Sequence, residues 1–284
     1  MAQVTIAELQ QRKTQGGKIA MLTAYDYPMA KLLDEAGVDL ILVGDSLGMV
    51  VLGYDTTAPV TMDEMLHHAK AARRGVSRAL LIGDMPFLSF RGSVDDAVKN
   101  AARFVQEAGC DAVKVEWKQG IEDVAKAIVD AGIPVMGHVG LTPQTAASTG
   151  GFRLQGKDAA AALRIIAQAI ALQEVGCFAM VLECIPDLVA QEITRRLTIP
   201  TIGIGSGPHC DGQVVVTYDL IGLFERFKPK FVKRYADLAG TIRQTAAAYL
   251  QDVRAGVFPG PEQTMTMSPD EFAKLKQELR ADPE

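Results

Sequence analysis

The sequence predicts an α/β protein, a (β/α)8 TIM barrel with helical extensions at its N- and C-termini. Three observations lead there. Short apolar, β-branched runs alternate with longer amphipathic segments along most of the chain. Those runs are near-continuous in apolar character, the mark of strands covered on both faces in a parallel sheet. The length, 284 residues, is that of one such barrel.

In order, the strand-like runs are 18–25 (KIAMLTAY), 40–44 (LILVG), 79–83 (ALLIG), 112–116 (AVKVE), 134–137 (PVMG), 178–183 (FAMVLE) and 200–204 (PTIGI), with 213–218 (QVVVTY) as the eighth. Helical patterns occupy 28–36, 61–74, 93–108, 121–131, 158–174 and 188–197. Gly37, Gly109, Gly132 and Gly176 follow four of these helical patterns just before the next strand, where a left-handed helix cap is needed. This rhythm means parallel βαβ units with right-handed crossovers. A doubly wound open sheet is the structural rival. Without a linker or a shift in composition, the reading is a single barrel domain over 1–284, with a C-terminal tail from about 260. In that tail Ser268, Pro269 and Glu271 make a capping-box signature for a short helix through 279.

Composition narrows the function. Hydrophobic residues make up 48% and charged residues 22% of the chain, enough for a large core. The net charge of −5, without a lysine or arginine run, argues against a nucleic-acid partner. There is neither a signal-like apolar segment nor the run of about 18 apolar residues a membrane span needs. Cys110, Cys177, Cys184 and Cys210 are scattered with no CxxC pair, so reduced structural thiols are expected. The expectation is a cytoplasmic enzyme acting on small molecules, with no membrane partner.

The chemistry lies in where the acids fall. Asp45 follows 40–44, Asp84 follows 79–83, Glu116 ends 112–116 and Glu183 ends 178–183. Each stands at the C-terminal end of a strand, where barrel enzymes carry catalytic groups. One such acid can simply cap the next helix. Four on one rim repel each other unless a cation or raised pKa values relieve them. Carboxylates without a histidine cluster suit a hard cation, Mg²⁺ above all. Asp45 and Asp84 are the best direct ligands, and Glu116 coordinates directly or through water. Lys114, two positions before Glu116, shares its strand face, so both point into the barrel together. Its role is a cation for a substrate carboxylate or a Schiff base, with the electrostatic role favoured. His138 follows 134–137 and is either a substrate contact or a hydrogen-bonded structural residue. His67 and His68 lie on a helix and read as packing or surface residues. Gly203, Gly205 and Gly207 superficially imitate a dinucleotide loop, but lack the following helix and ribose-binding acid; a close-approach loop at the mouth fits better.

At these residues the chain resembles the ketopantoate hydroxymethyltransferase family. The resemblance rests on TAYDYPMAKLLDEAGVD (23–39), LVGDSLGMVVLGYDTTAPVT (42–61), DMPF (84–87), AVKVE (112–116), GHVGLTPQ (137–144), VLECIP (181–186) and IGIGSGPHCDGQVVV (202–216). It implies a barrel of the phosphoenolpyruvate mutase/isocitrate lyase superfamily. The implied reaction transfers a one-carbon unit from 5,10-methylenetetrahydrofolate to 3-methyl-2-oxobutanoate. It passes through a Mg-stabilised enolate and gives 2-dehydropantoate for pantothenate and coenzyme A synthesis. The resemblance further implies Asp45 and Asp84 as Mg²⁺ ligands with Glu116 completing the metal environment. It makes Asp45, Ser46, Asp84 and Lys114 contacts to the oxo acid, Glu183 the proton acceptor, and the assembly a homodecamer, a pentamer of dimers. The chain departs from the pattern at Trp117-Lys118, where many relatives have glycines, and in the tail beyond Pro259. A lyase or phosphonomutase of the same superfamily is the nearest rival, but its cysteine-containing loop is missing. A catalytically silent scaffold barrel is the rival from another class, yet every site acid is present.

Overall fold

The computed structural model describes residues 3–149 and 151–281. Eight parallel strands close into a barrel in the order β1 to β8, with β8 returning to β1. They are β1 (Ile19–Thr23), β2 (Leu40–Val43), β3 (Leu80–Asp84), β4 (Ala112–Glu116), β5 (Val135–Gly140), β6 (Ala179–Glu183), β7 (Thr201–Ile204) and β8 (Gly212–Val215). The closed ring settles the barrel against the open doubly wound sheet. Most strands match the expected runs to within a residue or two. β5 runs on to Gly140, placing His138 within the strand, and β8 stops at Val215, after which the chain turns helical.

The helices are α1 (Ile6–Thr14), α2 (Tyr27–Glu35), α3 (Leu47–Val50), α4 (Met62–Arg73), α5 (Val94–Gln106), α6 (Ile121–Asp130), α7 (Ala159–Glu174), α8 (Asp187–Arg196), α9 (Thr217–Leu220), α10 (Leu238–Arg254) and α11 (Pro269–Ala281). Local chemistry starts them. Asp26, Thr61, Ser93 and Asp158 each accept a backbone N–H of the first turn, satisfying one of the donors left orphaned there. The glycines expected to end helices do so: Gly37, Gly109, Gly132 and Gly176 all have positive φ.

Strand alternation divides the core in two. One set of side chains packs outward against the helices, including Ile41, Val43, Leu81, Val113, Val115 and Leu182. The other fills the lumen with Met21, Leu42, Ile82, Met136, Val181 and Ile202, among others. Val4 and Leu9, from the N-terminal extension, belong to this lumen cluster. Burying Leu9 completely on α1 closes the barrel floor and leaves the C-terminal mouth as the open end.

Compaction divides the chain into two units, Met1–Ala236 and Asp237–Glu284. This differs from the expected single domain with a tail from about 260, because the boundary falls before α10. In the second unit Asp237 caps α10 by accepting from Gly240 N at 3.0 Å. Ser268 Oγ accepts from Glu271 N at 3.3 Å, as its capping signature implies. Tyr249 and Phe258 meet edge to face, with ring centroids 5.4 Å apart. Among the described residues no helix is long and apolar enough to cross a membrane.

Truncating Leu9 to alanine tests the floor. A fully buried leucine is expected to cost about 2–5 kcal/mol of unfolding free energy, read by urea denaturation. A loss below about 0.5 kcal/mol, the range of ordinary surface changes, would show that α1 does not seal the lumen.

Candidate active site

The strand register builds the site. Asp84 on β3 pairs in register with Lys114 on β4, and Glu116 on β4 with His138 on β5. Lys114 and Glu116 share the lumen face two residues apart, as strand periodicity demands. Asp45 follows β2 on the turn into α3, and its backbone N–H donates to Asp84 Oδ2 at 3.1 Å. All five side chains are buried: Asp45 is 5% exposed, Asp84 2%, Lys114 4%, Glu116 1% and His138 2%. Glu183, at the end of β6, joins them and lines the same cavity.

Lys114 is the hub. Its ammonium lies 2.8 Å from Asp84 Oδ1 and 3.3 Å from His138 Nδ1. An ammonium can only donate, so Nδ1 accepts and the imidazole proton sits on Nε2. Nε2 faces Glu183 Oε2 at 3.2 Å, outside hydrogen-bonding alignment. Burial, and next the Lys114 charge, hold His138 well below its ordinary pKa, so it is neutral.

The charges are strongly perturbed. Burial works to lower the Lys114 pKa, but the carboxylates of Asp84, Glu116 and Asp45 outweigh it and keep the amine protonated. Burial pushes Asp45 up to about 8, with the Asp84 charge adding to the effect. Burial likewise raises Glu116, despite the opposing pull of Lys114. It brings Glu183 up to about 7. This pattern, desolvated acids around one fixed cation in a cleft, is typical of catalytic sites.

Two residues outside the expected set complete the frame. Gln144, in the 3-10 turn Pro143–Thr149 after β5, is 4% exposed. Its Nε2 donates to Asp45 Oδ2 at 2.9 Å and to Met85 O at 2.8 Å, while its backbone N–H donates to Glu116 Oε2 at 3.3 Å. Arg91 reaches in from the loop after β3, with Nη2 3.4 Å from Gln144 Oε1 and 3.6 Å from Glu116 Oε2. Gln144 closes the GHVGLTPQ stretch, which was visible in the sequence; nothing there said that its amide faces Asp45. Ser46 Oγ lies 2.9 Å from the Tyr25 hydroxyl, at the start of α3. His68 Nδ1 contacts Tyr25 O at 2.7 Å, so it packs behind the site. Gly203 lies within β7, and Gly205 and Gly207 open a loop that leads to β8 with no helix between, which removes the dinucleotide reading.

Asp45 and Asp84 are the pair suited to a hard divalent cation. Both offer carboxylate oxygens and line the cavity, with Asp84 Oδ1 ion-paired to Lys114. Among the described residues no three His, Cys, Asp or Glu side chains form a ready-made metal cage. Mg²⁺ does not need one, since it usually takes one or two carboxylates and fills its octahedron with water and substrate oxygens. Glu116 is turned toward Gln144, Arg91 and His138.

A closed parallel barrel with its functional groups at the C-terminal strand ends defines a (β/α)8-barrel enzyme. Its fold is shared with phosphonopyruvate hydrolase, solved in complex with oxalate and Mg²⁺ (TM-score 0.60, 14% identity, covering 97% of this chain and 96% of that one). It is also shared with 2,3-dimethylmalate lyase, a phosphoenolpyruvate mutase/isocitrate lyase superfamily member (TM-score 0.58, 14% identity, 99% and 98%). Residues 3–261 match the family model for ketopantoate hydroxymethyltransferase, and the chain belongs to that family. The 3-methyl-2-oxobutanoate hydroxymethyltransferase of Moorella thermoacetica is 57% identical over 261 residues, covering 92% of this chain and 97% of the relative.

Replacing Gln144 with leucine removes the donor that fixes Asp45 while keeping an apolar fill. Outer-shell losses of this kind weaken metal binding by about 10–100-fold. Mn²⁺ titration followed by electron paramagnetic resonance should show that drop, with an unchanged circular dichroism spectrum. Wild-type affinity would mean that Gln144 does not position Asp45.

Proposed function

We propose that the enzyme transfers a one-carbon unit from 5,10-methylenetetrahydrofolate to C3 of 3-methyl-2-oxobutanoate, giving 2-dehydropantoate in pantothenate biosynthesis. The observation that carries the reading is the set of buried Asp45, Asp84, Lys114 and Glu116 with half-buried Glu183, all lining one cavity at the mouth of a barrel of this family. Mg²⁺ held by Asp45 and Asp84 would supply Lewis-acid stabilisation of negative charge on the ketone oxygen. Glu116 supports that environment from behind, through water or through its hold on the Gln144 backbone.

The chain's own groups divide the remaining work. Lys114, protonated throughout the working range, offsets the substrate carboxylate. Ser46 offers a hydroxyl already oriented by Tyr25. Glu183 takes the proton from C3, and a pKa near 7 makes it a stronger base than an ordinary carboxylate while leaving it ionised just above neutrality. Neutral His138 sits with its Nε2 3.2 Å from the Glu183 carboxylate and limits where that base can swing. Water adds to the methylene carbon of the donor and both of its C–N bonds break, with the two water protons passing to N5 and N10 of the released tetrahydrofolate. C3 then adds to the resulting one-carbon aldehyde, and the alkoxide so formed takes the proton held by Glu183. Four free cysteines suit a reducing compartment such as the cytoplasm. The pentamer of dimers belongs to the same proposal. Its support is the exposed apolar surface of the second unit, including Ile242, Leu250, Val253 and Met265.

Exchange of the substrate C3–H in deuterated water, with Mg²⁺ but no folate, tests the base. Glu183→Gln should lower the exchange rate by about 10²–10⁴-fold; a wild-type rate in that variant would remove Glu183 from the role. In the wild type only the deprotonated base works, so exchange should fall as pH drops through about 7 and level off above about 8. A flat profile from acid to neutral pH would contradict a base with a raised pKa.

A further inference from the structure

The cavity is larger than the oxo acid needs. Its volume is about 700 Å³, within the range that holds a drug-sized ligand, whereas 3-methyl-2-oxobutanoate has only eight heavy atoms. The charged floor described above occupies one part. The rest extends to the side of the mouth built by α9 and the segment 227–231, and its chemistry is different.

Two buried polar atoms on this cavity wall have no hydrogen-bond partner: Asp219 Oδ1 and Thr57 Oγ1. Asp219 is 6% exposed and Thr57 2% exposed. Asp219 stands on α9, directly after β8, and feels the charge of Arg234, yet its Oδ1 receives no hydrogen bond. A desolvated carboxylate oxygen without a donor is costly unless a ligand supplies one. Above it, the stretch FKPKF (227–231) lines the cavity with two phenylalanines alternating with two lysines. Phe227 is held edge to face by Phe224, with centroids 5.3 Å apart, yet remains 46% exposed. Phe231 lies against Gly205, where a Cβ would come within 2.7 Å of its ring, and is 42% exposed. That close approach, with Gly205 at φ +64°, explains why the loop after β7 carries glycine there. Lys228 and Lys230 have no acidic partner among the described residues.

Exposed aromatic faces, an unmatched buried acceptor and free cations on one wall describe a particular ligand. It is flat and heterocyclic, with N–H donors on one edge and carboxylates on a tail. A reduced pterin with a glutamyl tail has that chemistry. We propose that the α9 side of the mouth is the one-carbon donor subsite: Asp219 accepts the N–H edge of the pterin, Phe227 and Phe231 pack on the ring system, and Lys228 and Lys230 attract the glutamyl carboxylates. The assignment rests on the proposed function, because it supplies the donor for that reaction. It also makes geometric sense of the acid floor, since the donor enters over the oxo acid already bound there.

The test measures two affinities by isothermal titration, tetrahydrofolate and 3-methyl-2-oxobutanoate with Mg²⁺, in each variant. Asp219→Asn keeps the volume but removes the charge that receives the N–H edge, and tetrahydrofolate affinity should fall about tenfold or more. Affinity for the oxo acid should stay within about twofold. The exposed double variant Lys228→Gln/Lys230→Gln should keep the fold and erase the preference for triglutamyl over monoglutamyl tetrahydrofolate, together with its salt dependence. Unchanged tetrahydrofolate affinity in both variants would overturn the subsite, as would parallel loss of both ligands in Asp219→Asn. A wild type that binds the oxo acid and exchanges its C3–H, yet does not bind tetrahydrofolate, also overturns it while sparing the acid floor. Failure of the wild type to bind the oxo acid would instead strike the proposed function itself.

Discussion

The ion pair between Lys114 and Asp84 is the constraint on which the site depends. A lysine in the lumen of a closed barrel, level with Met136 and one layer above Ile82, is unfavourable without a partner. Register places Asp84 beside it and sets the ammonium 2.8 Å from Oδ1. Once Lys114 is fixed, its ammonium selects the His138 tautomer through Nδ1, and that ring in turn faces Glu183. The same ammonium lowers the cost of ionising Glu116 and Asp45 without cancelling it. One lysine and the more distant Arg91 stand against four carboxylates. Burial raises Asp45 to about 8, with the Asp84 charge adding to it, and burial alone raises Glu183 to about 7 against the pull of Lys114. A divalent cation relieves the surplus of carboxylates, which is the physical case for metal at Asp45 and Asp84.

Much of this was legible because strands are periodic. A closing acid on each of 40–45, 79–84, 112–116 and 178–183 can be read directly, and the i, i+2 relation puts Lys114 with Glu116. The match of Asp84 to Lys114 was not legible, since register depends on how neighbouring strands slide. Gln144, Arg91 and Asp219 were missed for another reason. Each stands on a connection, where side-chain direction follows from turn geometry that composition does not encode. His138 looked like a residue after its strand because Gly137 seemed to end the apolar run; ladder pairing carries β5 on to Gly140. The division before α10 was also hidden, since no proline- or glycine-rich linker marks it and only the contacts of the folded chain reveal it.

The two sides of the mouth follow from this division of labour. Strands β2 to β6 carry rigid, buried, charged groups, the kind suited to a small oxo acid with its metal in the proposed function. The loops after β7 and β8 carry aromatic and cationic groups on longer connections, suited to a larger and partly exposed ligand. Rigid strand ends give the precision that proton removal requires, while loops tolerate a donor with a flexible tail. Membership in the ketopantoate hydroxymethyltransferase family fits both halves.

The central claim is that oxo acid and metal are bound as one unit over the Lys114–Asp84 pair. Calorimetric titration of the metal-free enzyme with Mg²⁺, in the presence and absence of 3-methyl-2-oxobutanoate, tests it most directly. The account predicts mutual tightening of at least about tenfold, a coupling of the usual reciprocal size, abolished in Asp84→Asn. Oxo-acid affinity that is the same with Mg²⁺ and with EDTA would contradict it.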